Sequence, residues 1–150
     1  MKERRVYWSI DLVAVSAANL MNVIMVVVFL LRSMRVRRLW VGGLVWVALA
    51  LVLTIVVTLN IKMRREWWSI VLPLLLIAFL MVEVALDYVA RYHFRSTKLL
   101  GPYLILYYVS ILGMIGYAFL VQRNYGYTTL ATYFLSQIAA LYSFFRVGHG

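Results

Sequence analysis

Of the five acidic residues in this sequence, three interrupt long apolar runs: Asp11, Glu83 and Asp87. A carboxylate in such surroundings is costly unless it is paired, hydrated or close to an interface, so each of the three needs a partner. Glu83 and Asp87 stand four residues apart on one face of a helix, with Arg91 one turn further on. Asp87 and Arg91 have the spacing of an intrahelical ion pair, which gives Asp87 a structural role. Glu83 is different, because it falls about four residues, roughly 6 Å, past the middle of its run. A carboxyl at that depth suits proton binding and ion-coupled transport. Its bland alternative is a hydrogen-bonded lock between helices.

The groups expected around Glu83 follow from depth. Asn22 lies slightly past the midpoint of a run that travels in the same direction, and it is the expected donor to Glu83. Tyr107 and Tyr108 lie on the same side of the midplane. Asp11, Ala14, Ala18 and Asn22 recur close to one helical face at about 100 degrees per residue, which reads as an inward stripe. Ser136, Gln137, Ala140 and Ser143 mark a second small, polar face. The sequence thus predicts a proton or ligand site of Glu83, Asn22, Asp87, Tyr107 and Tyr108, opening on the side opposite the N-terminus.

Other chemistries find less support. No nucleotide-binding loop, HExxH motif, serine elbow or acidic metal array occurs. There is no cysteine, and two histidines, His93 and His149, are too few for an all-histidine metal site. Glu83 and Asp87 could form a two-carboxylate pair, but neither an electrophile site nor a metal completes it. The expectation is no cofactor and no metal, and the balance weighs against an enzyme.

The elements that must position these residues are set by composition. The chain is 65% hydrophobic and 13% charged, and a soluble domain of 150 residues has too little core to hide that much apolar surface. A bilayer core needs roughly 20 helical residues per crossing. Five runs of about that length lie at about 6–31, 39–61, 67–90, 99–121 and 128–147. They predict an all-α polytopic bundle, one transmembrane domain over 1–150. The fifth run is short and carries Thr129, Thr132, Ser136, Gln137 and Ser143. Four spans with a terminal interfacial helix is therefore the alternative.

Lys2, Arg4 and Arg5 before an apolar run have the look of a signal peptide, and Val15-Ser16-Ala17 that of a cleavage site. The run nevertheless continues to Leu31 and then meets Arg32, Arg35, Arg37 and Arg38, as a retained first helix does. Pro73 falls in the second turn of the third run, where a proline loses little hydrogen bonding. Tyr7, Trp8, Trp40, Trp46, Trp67, Trp68, Tyr88, Tyr92, Tyr103, Tyr125 and Tyr127 flank the runs as headgroup anchors.

Ser110, Gly113 and Gly116 recur every three residues, and Thr132, Ser136, Ala140 and Ser143 recur at helical spacing. Such ridges permit close helix packing, within the chain or against a partner. Lys2, Arg4, Arg5, Lys62, Arg64, Arg65 and Arg123 fall on the N-terminal side, here side A, seven in all. Arg32, Arg35, Arg37, Arg38, Arg91, Arg95, Lys98 and Arg146 fall on side B, eight in all. Positive charge favours the cytoplasm, so the count leans to an outer N-terminus. Arg35, Arg37, Arg38, Arg64 and Arg65 are juxtamembrane, where topology and anionic lipid headgroups explain them without nucleic acid.

In helix number, length and aromatic content the chain resembles the translocator protein family. That family's tryptophan-proline motifs have no match here, since the prolines are Pro73 and Pro102, so the resemblance is one of class and supplies no site. The compact chain without a transit-like leader points to a prokaryotic plasma membrane. The functional expectation is a non-enzymatic membrane subunit or helper that packs against other transmembrane proteins; a homo-oligomer would favour the other reading. Its rival is a small proton- or ion-coupled transporter using Glu83 near Asn22.

Overall fold

In hydrocarbon a peptide group finds no water to bond, so each apolar run satisfies its own backbone as a helix. The computed structural model describes residues 2–34, 40–89 and 98–147, with the side chains of 6–34, 43–86 and 98–147. Its helices are α1 (Lys2–Ser33), α2 (Trp40–Lys62), α3 (Trp68–Glu83), α4 (Leu100–Val121) and α5 (Arg123–Val147), and α3 runs on into a π-helical turn, Val84–Val89. No strand occurs among the described residues. Four helices, Val6–Ser33, Gly43–Lys62, Trp68–Leu86 and Leu100–Val121, are long and apolar enough to cross a membrane. The protein is a helical, multi-pass membrane bundle of these four and a fifth helix.

Each helix packs against its neighbour in sequence, and α5 returns beside α1, so the five close into a ring, with α1 also touching α4. Asn19 pairs with Thr129 and Asn22 with Thr132, each across an offset of 110 residues. A constant offset means that α5 runs parallel to α1 and shares its inclination. This geometry separates α5 from a helix lying flat on the membrane surface, despite its polar content.

α5 begins at Arg123, five residues before the apolar run at Thr128, because only Gln122, in an extended conformation, separates it from α4. So tight a hairpin brings the α5 backbone onto α4. A side chain at Gly126 would collide with the Phe119 ring, which is the reason for glycine there.

The α2–α3 turn is a Schellman motif made without glycine. Arg64 takes the left-handed conformation, φ 49°, at the position where glycine is usual. The Arg64 amide donates to the Ile61 carbonyl at 3.0 Å, and the Arg65 amide donates to the Asn60 carbonyl at 3.0 Å. The turn returns Arg65 over the last residues of α2.

Pro73 lies buried inside α3. Having no N–H, it leaves the carbonyl four residues back, that of Ser69, without its helical donor. Asn60 Nδ2 fills the gap, donating to Ser69 O at 2.7 Å, and both Asn60 and Ser69 are fully buried. An α2 side chain thus completes the backbone of α3.

Burial follows the expected stripe on α1: Asp11, Ala14, Ala18 and Asn22 are all inside. Trp8 and Trp67 are exposed, as headgroup anchors should be, but Trp46 is 2% exposed and belongs to the core. It stands two turns inside α2 on the inward face, and this corrects its reading as an interface residue.

Replacing Asn60 by alanine should destabilise the bundle, and the loss should shrink by about 1 kcal/mol when Pro73→Ala is also present, since the alanine amide then serves Ser69 O. Reversible unfolding in mixed micelles of both single variants and the double variant measures this coupling.

Candidate functional site

Polar side chains gather at three levels of the bundle. The side A cluster centres on Asp11, about a turn and a half inside the span that starts at Val6. Arg65 Nη1 and Nη2 donate to Asp11 Oδ1 and Oδ2 at 2.7 and 2.9 Å, a bidentate pair with both side chains largely buried. Tyr117 Oη, from α4, donates to Asp11 Oδ1 at 2.5 Å. Arg65 Nη1 also donates to Asn60 Oδ1 at 3.1 Å, and its guanidinium lies 5.2 Å from the centre of the Tyr7 ring. Trp68 stacks edge-on against Tyr117 at 5.3 Å and donates its Nε1 hydrogen to Glu66 Oε2. Hydrogen bonding from Asp11, with its charge, holds the Arg65 guanidinium above its ordinary pKa, against the pull of burial. Arg65 therefore stays charged at every usable pH.

The middle level is a seam between α1 and α5. Asn22 Nδ2 donates to Thr132 Oγ1 at 3.0 Å, Thr132 Oγ1 donates to Asn19 Oδ1 at 2.8 Å, and Asn19 Nδ2 donates to Thr129 Oγ1 at 3.0 Å. Thr129 Oγ1 in turn donates to the Tyr125 carbonyl at 2.9 Å. Each hydroxyl accepts one bond and donates the next, so the chain runs through the seam without an orphan group.

On side B, Glu83 is 5% exposed at the end of α3, where the helix widens into the π turn. Tyr103 Oη, on α4, donates to Glu83 Oε2 at 2.5 Å. Phe79 lies between the Tyr103 and Tyr107 rings, 5.7 and 5.2 Å from their centres, and Gln137 Nε2 of α5 donates to Tyr107 Oη at 3.0 Å.

This arrangement redraws the expected site. Asn22 donates to Thr132 and makes no hydrogen bond to Glu83 among the described residues. Asn22 faces α5 and lies beside Leu76, about two turns of α3 short of Glu83, which faces α4. Tyr107 is buried, whereas Tyr108, the next residue along α4, turns outward and is 40% exposed. The Asp87 backbone lies in the π turn, and its side chain, with Arg91, His93, Arg95, Arg35, Arg37, Arg38 and His149, lies outside the described residues. Arg64 is exposed. Arg65, read as one more juxtamembrane cation, instead turns inward to Asp11.

The small-residue ridges pack only in part. Ser110 is fully buried, with its hydroxyl 2.9 Å from the Leu75 carbonyl of α3 and 2.7 Å from that of Leu106, and Leu72 packs closely over Gly113. Gly116 is not part of this contact: a methyl there would meet nothing within 4 Å. On α5, Ser136, Ala139 and Ser143 are buried and Ala140 partly so. Ser143 Oγ has no hydrogen-bond partner among the described residues.

Sequence reasoning missed Tyr103, Tyr117 and Arg65 as partners of the buried acids, and Asn60 as a partner of Arg65. The available signal was the pairing demand of Asp11, which an arginine near the same membrane face could answer. Two cavities are defined among the described residues. A void of about 10 Å³ lies beside Asn22, Leu76 and Met114, whereas a groove of about 510 Å³ lies on the outer side of the α1–α5 seam. Comparison of the chain with protein-family models, curated proteins and solved structures finds no match.

Removing either partner of the Asp11–Arg65 pair strands the other. Asp11→Asn and Arg65→Gln should each lower stability by about 3 kcal/mol, and the double variant should lose clearly less than the sum. Unfolding of the four proteins in mixed micelles gives the coupling directly.

Proposed function

We propose that this protein is a non-enzymatic subunit or helper of a prokaryotic plasma membrane, with its N-terminus outside, packing against other transmembrane proteins. The observation that carries this reading is an interior whose buried acids and amides are met by protein partners rather than left open to a cargo. The void beside Asn22 holds about one water, far less than a cargo needs. Around the interior, the described acids and amides bond to protein partners: Asp11 to Arg65 and Tyr117, Glu83 to Tyr103, Asn19 and Asn22 to α5. Buried polar groups satisfied in this way lock a bundle into one arrangement. On α2, Leu44, Leu51 and Ile55 present an exposed apolar face suited to lipid or a neighbouring helix.

One observation favours a second reading, a small proton- or ion-coupled transporter. Glu83 stands at the junction of α3 with a π turn, and such turns recur at functional sites in helices. In that reading Glu83 takes up and releases the coupling proton, with Tyr103 as its hydrogen-bond donor.

Extraction of the protein from its own membrane in mild detergent, followed by sizing and mass identification, should yield a stoichiometric set of other membrane proteins. A solitary chain or a homo-oligomer would sink the subunit reading. The transporter reading requires pH-dependent flux in vesicles that Glu83→Gln reduces while folding is retained, and unchanged flux in that variant would remove it.

A further inference from the structure

The α1–α5 seam has two halves of different character. Toward side A and the midplane, Asn19 and Asn22 bond to Thr129 and Thr132 and draw the helices together. Past Thr132 the seam opens into the groove of about 510 Å³, walled by Val23, Val27 and Leu30 on α1 and by Leu135, Ile138 and Tyr142 on α5. Residues 23–30 of α1 rise about 10 Å and residues 132–142 of α5 about 15 Å, the latter about half of a bilayer's hydrocarbon core. The groove is therefore closed at the midplane and ends at the side B interface.

At that end the chemistry changes. Arg146 Nη1 donates to Tyr142 Oη at 2.6 Å, so the tyrosine that lines the groove carries a guanidinium on its hydroxyl and keeps its own O–H proton to give. Arg32 is level with Tyr142 by the offset that aligns the two helices, but it projects from the side of α1 away from Val23, Val27 and Leu30, with its guanidinium 5.9 Å from the Phe29 ring centre. Neither helix has a carboxylate in this half: α1 has no acid beyond Asp11, and α5 has none. A slot of hydrocarbon side chains, one monolayer long and ending under an arginine and a phenol, matches an amphiphile with an apolar chain and an anionic head.

We infer that the α1–α5 groove binds one anionic phospholipid of the side B leaflet, an acyl chain lying between Val27 and Ile138 and the phosphate held by Arg146 and Tyr142. A partner helix fits less well. It would be about 10 Å across and would need small residues on both walls, where this groove has Val, Leu and Ile. It would also have to pass the midplane, where the Asn–Thr seam closes the slot.

The test uses the full-length chain, reconstituted with equal amounts of phosphatidylglycerol and phosphatidylcholine of identical acyl chains, then transferred to mild detergent for native mass spectrometry. The expected spectrum shows one retained lipid per chain, with phosphatidylglycerol preferred at least about tenfold, and Arg146→Gln reducing that preference about fivefold. Val27→Trp, which fills the slot from an exposed position, should abolish retention of both lipids, as should Ile138→Trp from the opposite wall. Ile105→Trp, on the outer face of α4, should leave retention unchanged. Equal retention of the two lipids, retention that survives both slot-filling variants, or a protein chain in the groove in place of lipid would each overturn the inference. Residue exposure is 49% at Val27 and 62% at Ile138, so both variants should keep the fold, which matching circular dichroism spectra check.

Discussion

The ionised pair of Asp11 and Arg65 is the constraint around which side A of the bundle is arranged. A lone carboxylate at that depth would cost several kcal/mol, and so would a lone guanidinium drawn in from the α2–α3 turn. Together, with two parallel N–H···O bonds and a third donor from Tyr117, they meet most of each other's hydrogen-bonding needs. The geometry binds four segments at once. Asp11 belongs to α1, Asn60 to α2, Arg65 to the turn that leads to α3, and Tyr117 to α4. The left-handed Arg64 belongs to the same arrangement, since a non-glycine residue there costs about 1–2 kcal/mol and its effect is to turn Arg65 back toward Asp11. Asn60 couples this cluster to the backbone gap left by Pro73, so a defect in either is felt by the other.

Which parts of this were legible in the sequence follows from what a sequence encodes. Apolar length and helical period gave the helices and the inward stripe from Asp11 to Asn22, because both depend only on residues near one another in the chain. Depth was legible only in part: Glu83 lies at the side B level with Tyr103, but Asn22 sits beside Leu76, about two turns of α3 short of it. Direction around the helix axis was not legible. Asn22 faces α5 and Glu83 faces α4, and which helices adjoin depends on how the ring closes, a property of the whole bundle. Arg65 was misplaced for a related reason. An arginine beside a span has a long, flexible stem that reaches to the headgroups or into the bundle with equal ease, and only the position of Asp11 on the neighbouring helix selects between them. Tyr103, Tyr117 and Trp46 share this ambiguity, since an aromatic near a helix end serves either as an interface anchor or, if it faces inward, as core.

The polar content of α5 made its span the least obvious one, and the structure supplies the reason for that content. Thr129 and Thr132 meet Asn19 and Asn22, and the four residues form one directional chain of hydrogen bonds. Polarity that lowers the helix's affinity for lipid is consumed at its contact with α1. Local hydropathy undervalues such a helix because it scores each side chain as though it faced hydrocarbon. α1 and α5 bury their asparagines and threonines against each other, and the apolar residues left over, Leu135, Ile138 and Leu141 among them, remain on the outside.

The same accounting explains why the seam changes character along its length. Hydrogen-bonded asparagine and threonine hold the two backbones close where Ala14, Ala17 and Ala18 leave room on α1. Toward side B the facing residues are Val23, Val27, Leu30, Leu135 and Ile138, which offer no directional attraction and are as well solvated by lipid tails as by one another. Hydrophobic burial does not draw helices together inside a bilayer as it does in water. A seam without polar bonds or small residues therefore has little reason to close, and the opening between α1 and α5 is the expected result of where the Asn–Thr chain stops.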